Sequence, residues 1–507
     1  MDGKSDSAST GPGEARRPLV LALDVGTSSV RALVYDAVGR AVEGAESRTA
    51  YEMKTTPDGG VEADADKLLD LTCRTVDTLI QAAGGMVRDI CAVGSCTFWH
   101  SLVGVDVEGR AATPVFNWND TRSRCDAAGL AERLGADWIH AQTGALPHSS
   151  YFPAKLLWLV RTRPNLYRRV VRWMSFGEYL HLRIFGRTLC SVSMASGTGL
   201  LNPNTCSWNE EMLKESGISA DHLSPLAADH EFLTGVTAEY AGRWPALARL
   251  PWLPALGDGA CSNIGSGCVE RDRVALMVGT SGAMRICWQA DKVETPRGLW
   301  CYRADRRYAL VGGALSNAGD VYAWWRNALQ LEEDGMEPAL ASLEPDGHGL
   351  TVLPFFSGER STGWADNARA AVTGMSLDTR PIDIVRAAME AVAYRFAAIY
   401  EQMSAVLGRS ARIVASGGGI LHSPVWTQMM ADVIGAPVLA SAVAEASSRG
   451  AALLALESLG FLTDFRAVPA PAAAVYDPDP PKTEIYGRGR RRQEALYNLL
   501  ISPRSGC

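Results

Sequence analysis

Two short stretches about half a chain apart have nearly the same sequence, and this repeat constrains the fold more than any other feature. Residues 21–35 read LALDVGTSSVRALVY, and residues 275–289 read ALMVGTSGAMRICWQ. Each is an apolar run, a Gly-Thr-Ser turn and a second apolar run, which predicts a β-hairpin. Because Gly26 and Gly279 are separated by half of the chain, we expect each hairpin to open one of two equivalent domains.

The segments that follow the hairpins alternate between helix-like and strand-like patterns. Asp64 is placed to cap a helix with apolar residues at helical spacing, and residues 90–94 are a short apolar run. In the second half, residues 382–407 have a helical period, 412–415 form a short apolar strand, and 425–434 return to helix. This order predicts an α/β fold with mixed sheets flanked by helices.

The chain length also predicts two large domains. At 507 residues the chain exceeds what one hydrophobic core usually fills. We place the N-terminal domain at residues 18–256 and the C-terminal domain at 257–507, and we expect residues 1–17, which are polar with Gly, Ser and Pro, to form a disordered tail.

Charge and cysteine usage exclude several classes of protein. A net charge of -7 argues against binding to nucleic acid, whose partners normally carry a basic face. No apolar run has the length of a membrane span or a secretory signal, so we expect a cytoplasmic protein without a membrane partner. The 11 cysteines include no C-x-x-C pair, so we expect buried thiols and no cysteine-bound metal.

The first hairpin carries groups that suit a magnesium-bound phosphate. Asp24 ends the first apolar run and can hold Mg²⁺, directly or through water. Gly26 permits close approach of a phosphate, while Thr27 and Ser28 supply hydroxyl and backbone N–H donors. An ordinary hairpin with an aspartate at its start is the alternative. The second turn, with Gly279 and Thr280, favours two clamps that hold a polyphosphate from both sides.

Other nucleotide-binding motifs are missing from the sequence. Its one G-K-S tripeptide, at residues 3–5, has neither a preceding strand nor the upstream glycine of a Walker motif. The glycine-rich loop and H-R-D motif of protein kinases are also missing. Nucleotide binding would therefore depend on the paired hairpins and on Ser416-Gly417-Gly418-Gly419, which is either an adenine platform or a flexible turn.

Asp258 is the candidate general base. It stands between Gly257 and Gly259, after a proline-rich entry, so its carboxylate is expected to be sterically open. Such a carboxylate can accept the proton of a substrate hydroxyl as that oxygen attacks the terminal phosphorus of ATP. A capping or turn aspartate is the alternative reading of the same tripeptide.

Two polar and aromatic clusters are candidates for binding a polyhydroxylated substrate. Trp99 and His100 form the first, and residues 117–122, which include Asp120 and Arg122, form the second. Sugars stack on tryptophan and hydrogen-bond to such polar groups. Arg122 can grip a substrate carboxylate with two parallel hydrogen bonds, or can instead pair with a nearby aspartate. His100 can equally be a core histidine with satisfied hydrogen bonds.

These residues resemble the FGGY family of carbohydrate kinases, within the sugar kinase, actin and Hsp70-like superfamily. The most specific match is AAVTGM at residues 370–375 followed, after seven residues, by DIVRAAME at 383–390, which agrees with the second signature of the family. YFPAKLLW at 151–158 resembles the first signature with a spacing that departs by one residue. Within the family, FWHS, GTSGAMR, SGTGL, GER and TGALPH are most similar to gluconokinases, with xylulokinases the nearest rival.

The resemblance implies two actin-like (ribonuclease H-like) domains with the active site in the cleft between them, the first half binding sugar and the second nucleotide. It implies ATP and Mg²⁺ as cofactors and a sugar acid or polyol as substrate, and it allows a homodimer. A catalytically inactive sugar sensor or an actin-like assembly ATPase is the alternative of another class. The implied site residues are Asp258 as base, Asp24 for the metal, Gly26, Thr27, Ser28, Gly279, Thr280, Gly319, Gly417 and Gly418 for ATP, and Trp99, His100, Asp120, Arg122 and Asp258 for the substrate.

Overall fold

The computed structural model describes residues 7–408 and 411–501. Its strands are β1 (Ser9–Thr10), β2 (Leu19–Val25), β3 (Ser29–Tyr35), β4 (Ala41–Ala50), β5 (Lys54–Thr55), β6 (Val61–Ala63), β7 (Ile90–Thr97), β8 (Val103–Val105), β9 (Val115–Phe116), β10 (Arg172–Met174), β11 (Leu201–Asn202), β12 (Ser207–Trp208), β13 (Leu256–Gly257), β14 (Arg273–Val278), β15 (Gly282–Gln289), β16 (Trp300–Arg303), β17 (Tyr308–Leu315), β18 (Thr351–Leu353), β19 (Ala371–Thr373), β20 (Arg412–Ser416), β21 (Val438–Ser441) and β22 (Ala472–Tyr476).

The α-helices are distributed between and after these strands. They are α1 (Ala65–Ala83), α2 (Arg124–Leu134), α3 (Ala136–Thr143), α4 (Phe152–Thr162), α5 (Pro164–Tyr167), α6 (Phe176–Phe185), α7 (Val192–Ser196), α8 (Glu210–Glu215), α9 (Ala238–Arg243), α10 (Asp258–Gly265), α11 (Gly319–Ala328), α12 (Met336–Ala341), α13 (Pro381–Gln402), α14 (Gly418–Leu421), α15 (Pro424–Ile434), α16 (Ala446–Ser458) and α17 (Pro480–Leu500).

Two large mixed sheets organise the chain. The first has the strand order β1-β4-β3-β2-β7-β13, in which β2 pairs antiparallel with β3 and parallel with β7. The second has the order β16-β17-β15-β14-β20-β21-β22, in which β14 pairs antiparallel with β15 and parallel with β20. In both sheets the repeated hairpin supplies two central strands, and its next neighbour is parallel. The predicted α/β fold with two sheets flanked by helices is therefore confirmed.

The core of each sheet is built by residues that the sequence marks as apolar. Strand β2 is buried along its whole length, which matches its near-continuous apolar run. Helix α1 begins after Asp64, whose side chain accepts a hydrogen bond from the Lys67 backbone N–H, as predicted. Helix α13 is buried over most of its length but ends at Gln402 instead of 407. There the chain tightens into a turn that lets Gly408 donate to the Arg271 carbonyl.

One helix of the second half packs on the first sheet. Helix α16 contacts β2, β7 and α10, although its sequence follows β21 of the second sheet. A Cβ added at Gly450 of α16 would lie 1.9 Å from the Cys261 carbonyl oxygen, and one at Gly265 of α10 would lie 1.8 Å from that of Ala446. Glycine at both positions lets the two helix backbones touch. The two halves of the sequence are therefore joined below the cleft through a shared helix pair.

The N-terminal segment departs from the expected disordered tail. Residues 1–6 lie outside the described residues, but Ser9 and Thr10 form β1, which pairs in parallel with β4. Ala15 is buried, and Arg17 forms an ion pair with Asp89 at 3.0 Å. Backbone pairing to the edge of the first sheet thus orders residues 7–17, a contact that local composition cannot reveal. The predicted boundary between residues 256 and 257 falls within β13, which still belongs to the first sheet.

None of the helices in residues 7–408 and 411–501 is both long enough and apolar enough to span a membrane. Nine cysteines in this part of the chain are free thiols, and eight of them are buried.

Candidate active site

The first hairpin turn presents its polar groups outward. Gly26, Thr27 and Ser28 connect β2 to β3, and the Ser28 side chain is exposed. The turn is held by a hydrogen bond from the Gly26 N–H to the Ser29 carbonyl oxygen at 3.0 Å and by one from the Tyr51 hydroxyl to the Gly26 carbonyl oxygen at 2.6 Å. In the described part of the chain, no hydrogen bond uses the Thr27 or Ser28 hydroxyl, so both hydroxyls are available to a ligand.

Asp24 is a buried carboxylate with an incomplete set of partners. It ends β2 opposite Arg31, whose guanidinium lies 3.4 Å from it and 2.9 Å from Glu445. The pKa of Asp24 is raised from 3.8 to about 7, chiefly by burial and to a smaller extent by the charges of Asp258 and Glu445, and Arg31 offsets this rise only in part. Asp24 and Glu445 therefore share one arginine, and the negative charge of Asp258 acts on the same place. This excess of negative charge fits a divalent cation, because hard cations take carboxylate oxygens as ligands.

The second hairpin turn is enclosed by glycines from other elements. The Gly319 N–H donates to the Gly279 carbonyl oxygen at 2.9 Å, and Ala318 donates to Thr280 at 3.0 Å. A Cβ at Gly319 would lie 2.3 Å from the Gly279 carbonyl oxygen, and a Cβ at Gly417 would lie 2.5 Å from that of Val278. The structure thus brings together the predicted nucleotide glycines of β14, α11 and α14, and it leaves Thr280 exposed.

The glycine run at the start of α14 has divided roles. Gly417 has a φ of 93°, and Gly419 also packs on Val278, where an added Cβ would lie 2.9 Å from the carbonyl oxygen. Gly418 is different, since its nearest neighbour would be the His422 ring at ordinary contact distance, 3.6 Å. Gly417 and Gly419 therefore fix the loop against the hairpin, and Gly418 is the glycine whose surface remains open.

Asp258 is the first residue of α10 and is half-buried between the two hairpins. Its carboxylate accepts the Gly259 N–H at 2.8 Å. Burial raises the pKa of Asp258, and the charge of Arg285, on β15 of the second hairpin, lowers it only in part. Arg285 itself is held by a hydrogen bond from its Nε to the Asn263 side chain at 3.0 Å. A carboxylate with a raised pKa in this position is suited to accept a proton.

The glycines beside Asp258 serve a purpose that the sequence did not reveal. A Cβ at Gly257 would lie 1.9 Å from the Trp99 indole, and one at Gly259 would lie 2.7 Å from it. The indole Nε1–H donates to the Ser193 carbonyl oxygen at 2.9 Å, which locks the ring. The glycines thus make room for Trp99, and the ring lies directly beside Asp258.

His100 lies on the same wall in a neutral state. Burial and the Arg360 charge hold the pKa of His100 well below its usual range. Its Nδ1 lies 2.5 Å from the Gly197 carbonyl oxygen, so Nδ1 carries the proton and Nε2 is the acceptor. The residue has a positive φ of 62°, which its backbone adopts to place the ring between Tyr151 and Tyr302. His100 is therefore positioned to accept a hydrogen bond from a hydroxyl group.

Aromatic residues of both halves complete this chamber, and sequence reasoning missed most of them. The Tyr151 hydroxyl lies 2.6 Å from that of Tyr302 on β16, and the Tyr151 ring stacks at 6.2 Å on Trp364. Next to them, His148 and Asp366 form an ion pair at 2.7 Å across the same boundary. A tyrosine or histidine in these stretches gives no signal of its own, because its partner lies more than a hundred residues away.

Arg122 is not the free cation that we expected. Its guanidinium donates to Asp120 from Nε at 3.0 Å and to Glu62 from Nη2 at 2.9 Å, and it stacks on Trp158 at 4.6 Å. Asp120 is also engaged, since it accepts the Val61 N–H at 3.2 Å. Two carboxylates of the protein thus pair with Arg122, which is the alternative that the sequence left open, and its contact with a substrate carboxylate stays a prediction.

A second cluster of ionisable groups lies outside the cleft. Ligand atoms of Asp346, His348 and Glu390 lie within 4.8 Å of one another, as a metal site would require. However, the Glu390 carboxylate already accepts from Arg386 Nε at 2.9 Å, and Asp346 is ion-paired with Arg492. The charges are thus compensated by arginine, and the cluster stabilises the contact of α13 with α17.

Comparison with known proteins agrees with this architecture. The model of the N-terminal domain of the FGGY family of carbohydrate kinases matches residues 19–265, and that of the C-terminal domain matches 274–459. The chain belongs to the FGGY family of carbohydrate kinases. It is 25% identical over 461 residues to the gluconokinase of Bacillus subtilis (strain 168), covering 89% of each chain.

Two solved structures from Lactobacillus acidophilus have the same fold. A ligand-bound xylulose kinase superposes with a TM-score of 0.88 at 26% identity, covering 96% of this chain and 99% of the other. A gluconate kinase superposes with a TM-score of 0.87 at 26% identity, covering 96% and 98%.

Proposed function

We propose that this carbohydrate kinase transfers the terminal phosphoryl group of ATP to D-gluconate and gives 6-phosphogluconate, with Asp258 as the general base. The observation that carries the proposal is the position of Asp258. It is a half-buried carboxylate with a raised pKa, at the start of α10, between the carboxylate of the first hairpin and the arginine of the second. The substrate chamber of Trp99 and His100 lies directly beside it.

In this reaction the substrate hydroxyl attacks the terminal phosphorus of ATP. The O–H proton passes to the Asp258 carboxylate, a new P–O bond forms, and the bond to ADP breaks. Burial raises the pKa of Asp258, which favours proton uptake, and the charge of Arg285 partly offsets that rise. The proton then leaves to solvent when the cleft opens.

The hairpins are assigned to the nucleotide. Thr27 and Thr280 would donate their hydroxyl groups to phosphate oxygens, and Gly319, Gly417 and Gly418 would border the adenosine. Asp24 would hold Mg²⁺, which when bound neutralises phosphate charge. An ion at that position would also lower the pKa of Asp24 and so remove the electrostatic penalty of its burial.

Gluconate is preferred over a ketose for two reasons. The gluconokinase of Bacillus subtilis spans 89% of this chain, and an acid substrate fits a chamber that contains Arg360 and the buried Lys155. Xylulose is the second candidate, because the xylulose kinase of Lactobacillus acidophilus has an equally similar fold. Phosphorylation assays with gluconate, xylulose, ribulose and glycerol decide between them, and efficient use of xylulose but not gluconate would exclude the gluconokinase assignment.

Asp258→Asn tests the role of the base. It keeps the volume of the side chain but removes the proton acceptor, so kcat should fall by about 10²- to 10⁴-fold while substrate binding remains. Asp334→Asn, at an exposed position, is the matched control and should keep full activity. Activity of Asp258→Asn within a few-fold of wild type would reduce Asp258 to a helix-capping residue. Binding of sugar without turnover by the wild type would instead support a sensor.

A further inference from the structure

Arg360 is a buried cation without an anionic partner. It is only 8% exposed. No carboxylate of residues 7–408 and 411–501 lies within 4.0 Å of its guanidinium nitrogens, and its Nε is buried without a hydrogen-bond partner. Burial of an unpaired charge is costly, so proteins normally pair such a group with an anion. The Arg360 guanidinium lacks such an anion among the described residues of the protein.

Neighbouring carboxylates are already occupied. Glu359, adjacent in sequence, binds Arg395 at 2.5 Å and accepts the Tyr497 hydroxyl at 2.6 Å. Asp366 pairs with His148 at 2.7 Å and accepts the Ser149 hydroxyl at 3.0 Å. Since both acidic groups near the loop face other partners, neither supplies a direct ion pair to Arg360, and a bound anion can do so.

The Arg360 side chain reaches from the second half of the chain into the substrate chamber of the first. Its guanidinium lies over the Trp118 ring, 5.2 Å from the ring centre, which fixes the plane of the fork. After burial, its charge is the largest influence on the pKa of His100 and of Tyr151. The charge of Arg360 therefore influences mainly the residues that surround the sugar. At the base Asp258, the charge of Arg285 has the larger effect on the pKa.

We propose that Arg360 binds the carboxylate of the acid substrate, at the end of the molecule remote from the hydroxyl that Asp258 deprotonates. This inference rests on the proposed function and names its specificity residue. A planar guanidinium held on an aromatic ring can donate two parallel hydrogen bonds to a carboxylate, and a buried pair of this kind is strong. The neutral His100 remains available for a substrate hydroxyl. Arg360 thereby takes the role that the sequence analysis gave to Arg122.

The test compares D-gluconate with its neutral amide, gluconamide, and with D-glucitol. In the wild type, kcat/KM for gluconate should exceed that for gluconamide by about 100-fold, as expected for a hydrogen-bonded charge pair. Arg360→Met should lower kcat/KM for gluconate by about 100-fold, mainly through KM, and should change it for gluconamide and glucitol by less than about 3-fold. Arg360→Lys should restore part of the loss. Arg122→Met is the matched control, and it should affect all three substrates equally.

The possible results separate failure of the Arg360 inference from failure of the proposed function. Equal losses on the charged and neutral substrates would overturn the inference and leave gluconate phosphorylation by the wild type intact. A wild type that uses gluconamide as well as gluconate would overturn it too, and this arm needs no variant to fold. A wild type that phosphorylates xylulose but not gluconate would refute the proposed function itself. Thermal unfolding of each variant separates loss of folding from loss of recognition.

Discussion

The two Gly-Thr-Ser hairpins have nearly the same sequence and the same antiparallel pairing, yet their turns differ by one residue in length and they are surrounded by different chemistry. Two residues before its glycine, the first hairpin carries Asp24, and the second carries Met277. The first turn stands next to Asp24 and Glu445, which share Arg31, while the second is enclosed by glycines of α11 and α14. The two hairpins thus share the Gly-Thr-Ser turn but differ in their surroundings. Charged groups surround the first hairpin, and closely packed backbone surrounds the second.

The division follows from what each side of a nucleotide would need. A polyphosphate with its metal requires charge and hydroxyl groups, whereas a flat base and ribose require a surface without side chains. Three glycines pack so closely on the second hairpin that a Cβ would not fit: the distance from the added Cβ to the nearest carbonyl oxygen would be 2.3 Å at Gly319, 2.5 Å at Gly417 and 2.9 Å at Gly419. Around Gly26 a Cβ would meet nothing closer than 3.5 Å. The comparison therefore predicts that substitutions in and around the two hairpins differ in their effects on activity and stability.

The largest expected difference concerns Asp24 and Met277. Asp24→Asn should lower kcat by about 10²- to 10³-fold, because it removes the charge assigned to the metal without changing the shape of the site. Met277→Leu, at the equivalent position, should keep activity within about 2-fold, since it conserves apolar volume. Steady-state kinetics at saturating ATP and Mg²⁺ measure both. Similar losses in the two variants would show that the hairpins are not chemically divided.

The same Asp24→Asn variant should be more stable than the wild type at pH 8. The pKa of Asp24 is raised from 3.8 to about 7 in the folded protein, so the folded state binds this proton more tightly than the unfolded state. The wild type therefore loses stability as pH rises from about 4 to 7, and the asparagine variant does not. The gain at pH 8 should be about 1 to 4 kcal/mol and should vanish below pH 4.

Denaturant unfolding at several pH values without ATP or Mg²⁺ checks this prediction. Arg31 keeps Glu445 as its partner at 2.9 Å in the variant, so the helix pair should remain intact. A variant that is less stable at pH 8 would mean that Asp24 is adequately neutralised in the folded protein, and it would weaken the argument for a cation at this position.

Glycine substitution should have a smaller effect, and only in the loop before α14 that packs on the second hairpin. Gly417→Ala should lower the free energy of unfolding by about 1 to 3 kcal/mol, because it adds strain at a positive φ and a Cβ at 2.5 Å from the Val278 carbonyl oxygen. Gly26→Ala should change it by less than about 1 kcal/mol. Gly418→Ala controls for the loop, since its Cβ has room. Thermal unfolding compares them, and equal losses at Gly26 and Gly417 would contradict the difference in packing.

Local patterns in the sequence were enough for the fold and for part of the site. The repeated hairpin predicted two sheets, because apolar runs around a glycine turn are a local property. Asp258 was singled out from the sequence as a candidate base because glycines flank it, and the structure shows that these glycines accommodate Trp99. That contact joins residues more than 150 positions apart, and no local rule predicts it.

Charged residues were the least predictable part of the site. Arg122 looked free because its partner Glu62 and its stacking ring Trp158 are distant in sequence. Arg360 was noted only as part of the GER stretch and was given no role, because what distinguishes it is the lack of an anion, which is visible only once the whole environment is known. The ordering of residues 7–17 depends likewise on pairing with β4. Apolar periodicity is local, whereas charge compensation is tertiary.

The smallest expected effect concerns a feature that both hairpins share, the threonine hydroxyl of the turn. Thr27→Val and Thr280→Val each delete one hydroxyl, and neither hydroxyl has a hydrogen-bond partner in the part of the chain that the structure describes. If both donate to phosphate oxygens, each variant should raise the KM for ATP by about 3- to 10-fold with little change in stability. Thr27→Ser and Thr280→Ser keep the hydroxyl and should remain close to wild type. In the double variant the two increases should multiply, because the hydroxyls bind different oxygens. An effect of Thr280→Val alone would restrict phosphate binding to the second hairpin, and the symmetry of the two clamps would then be a feature of the backbone only.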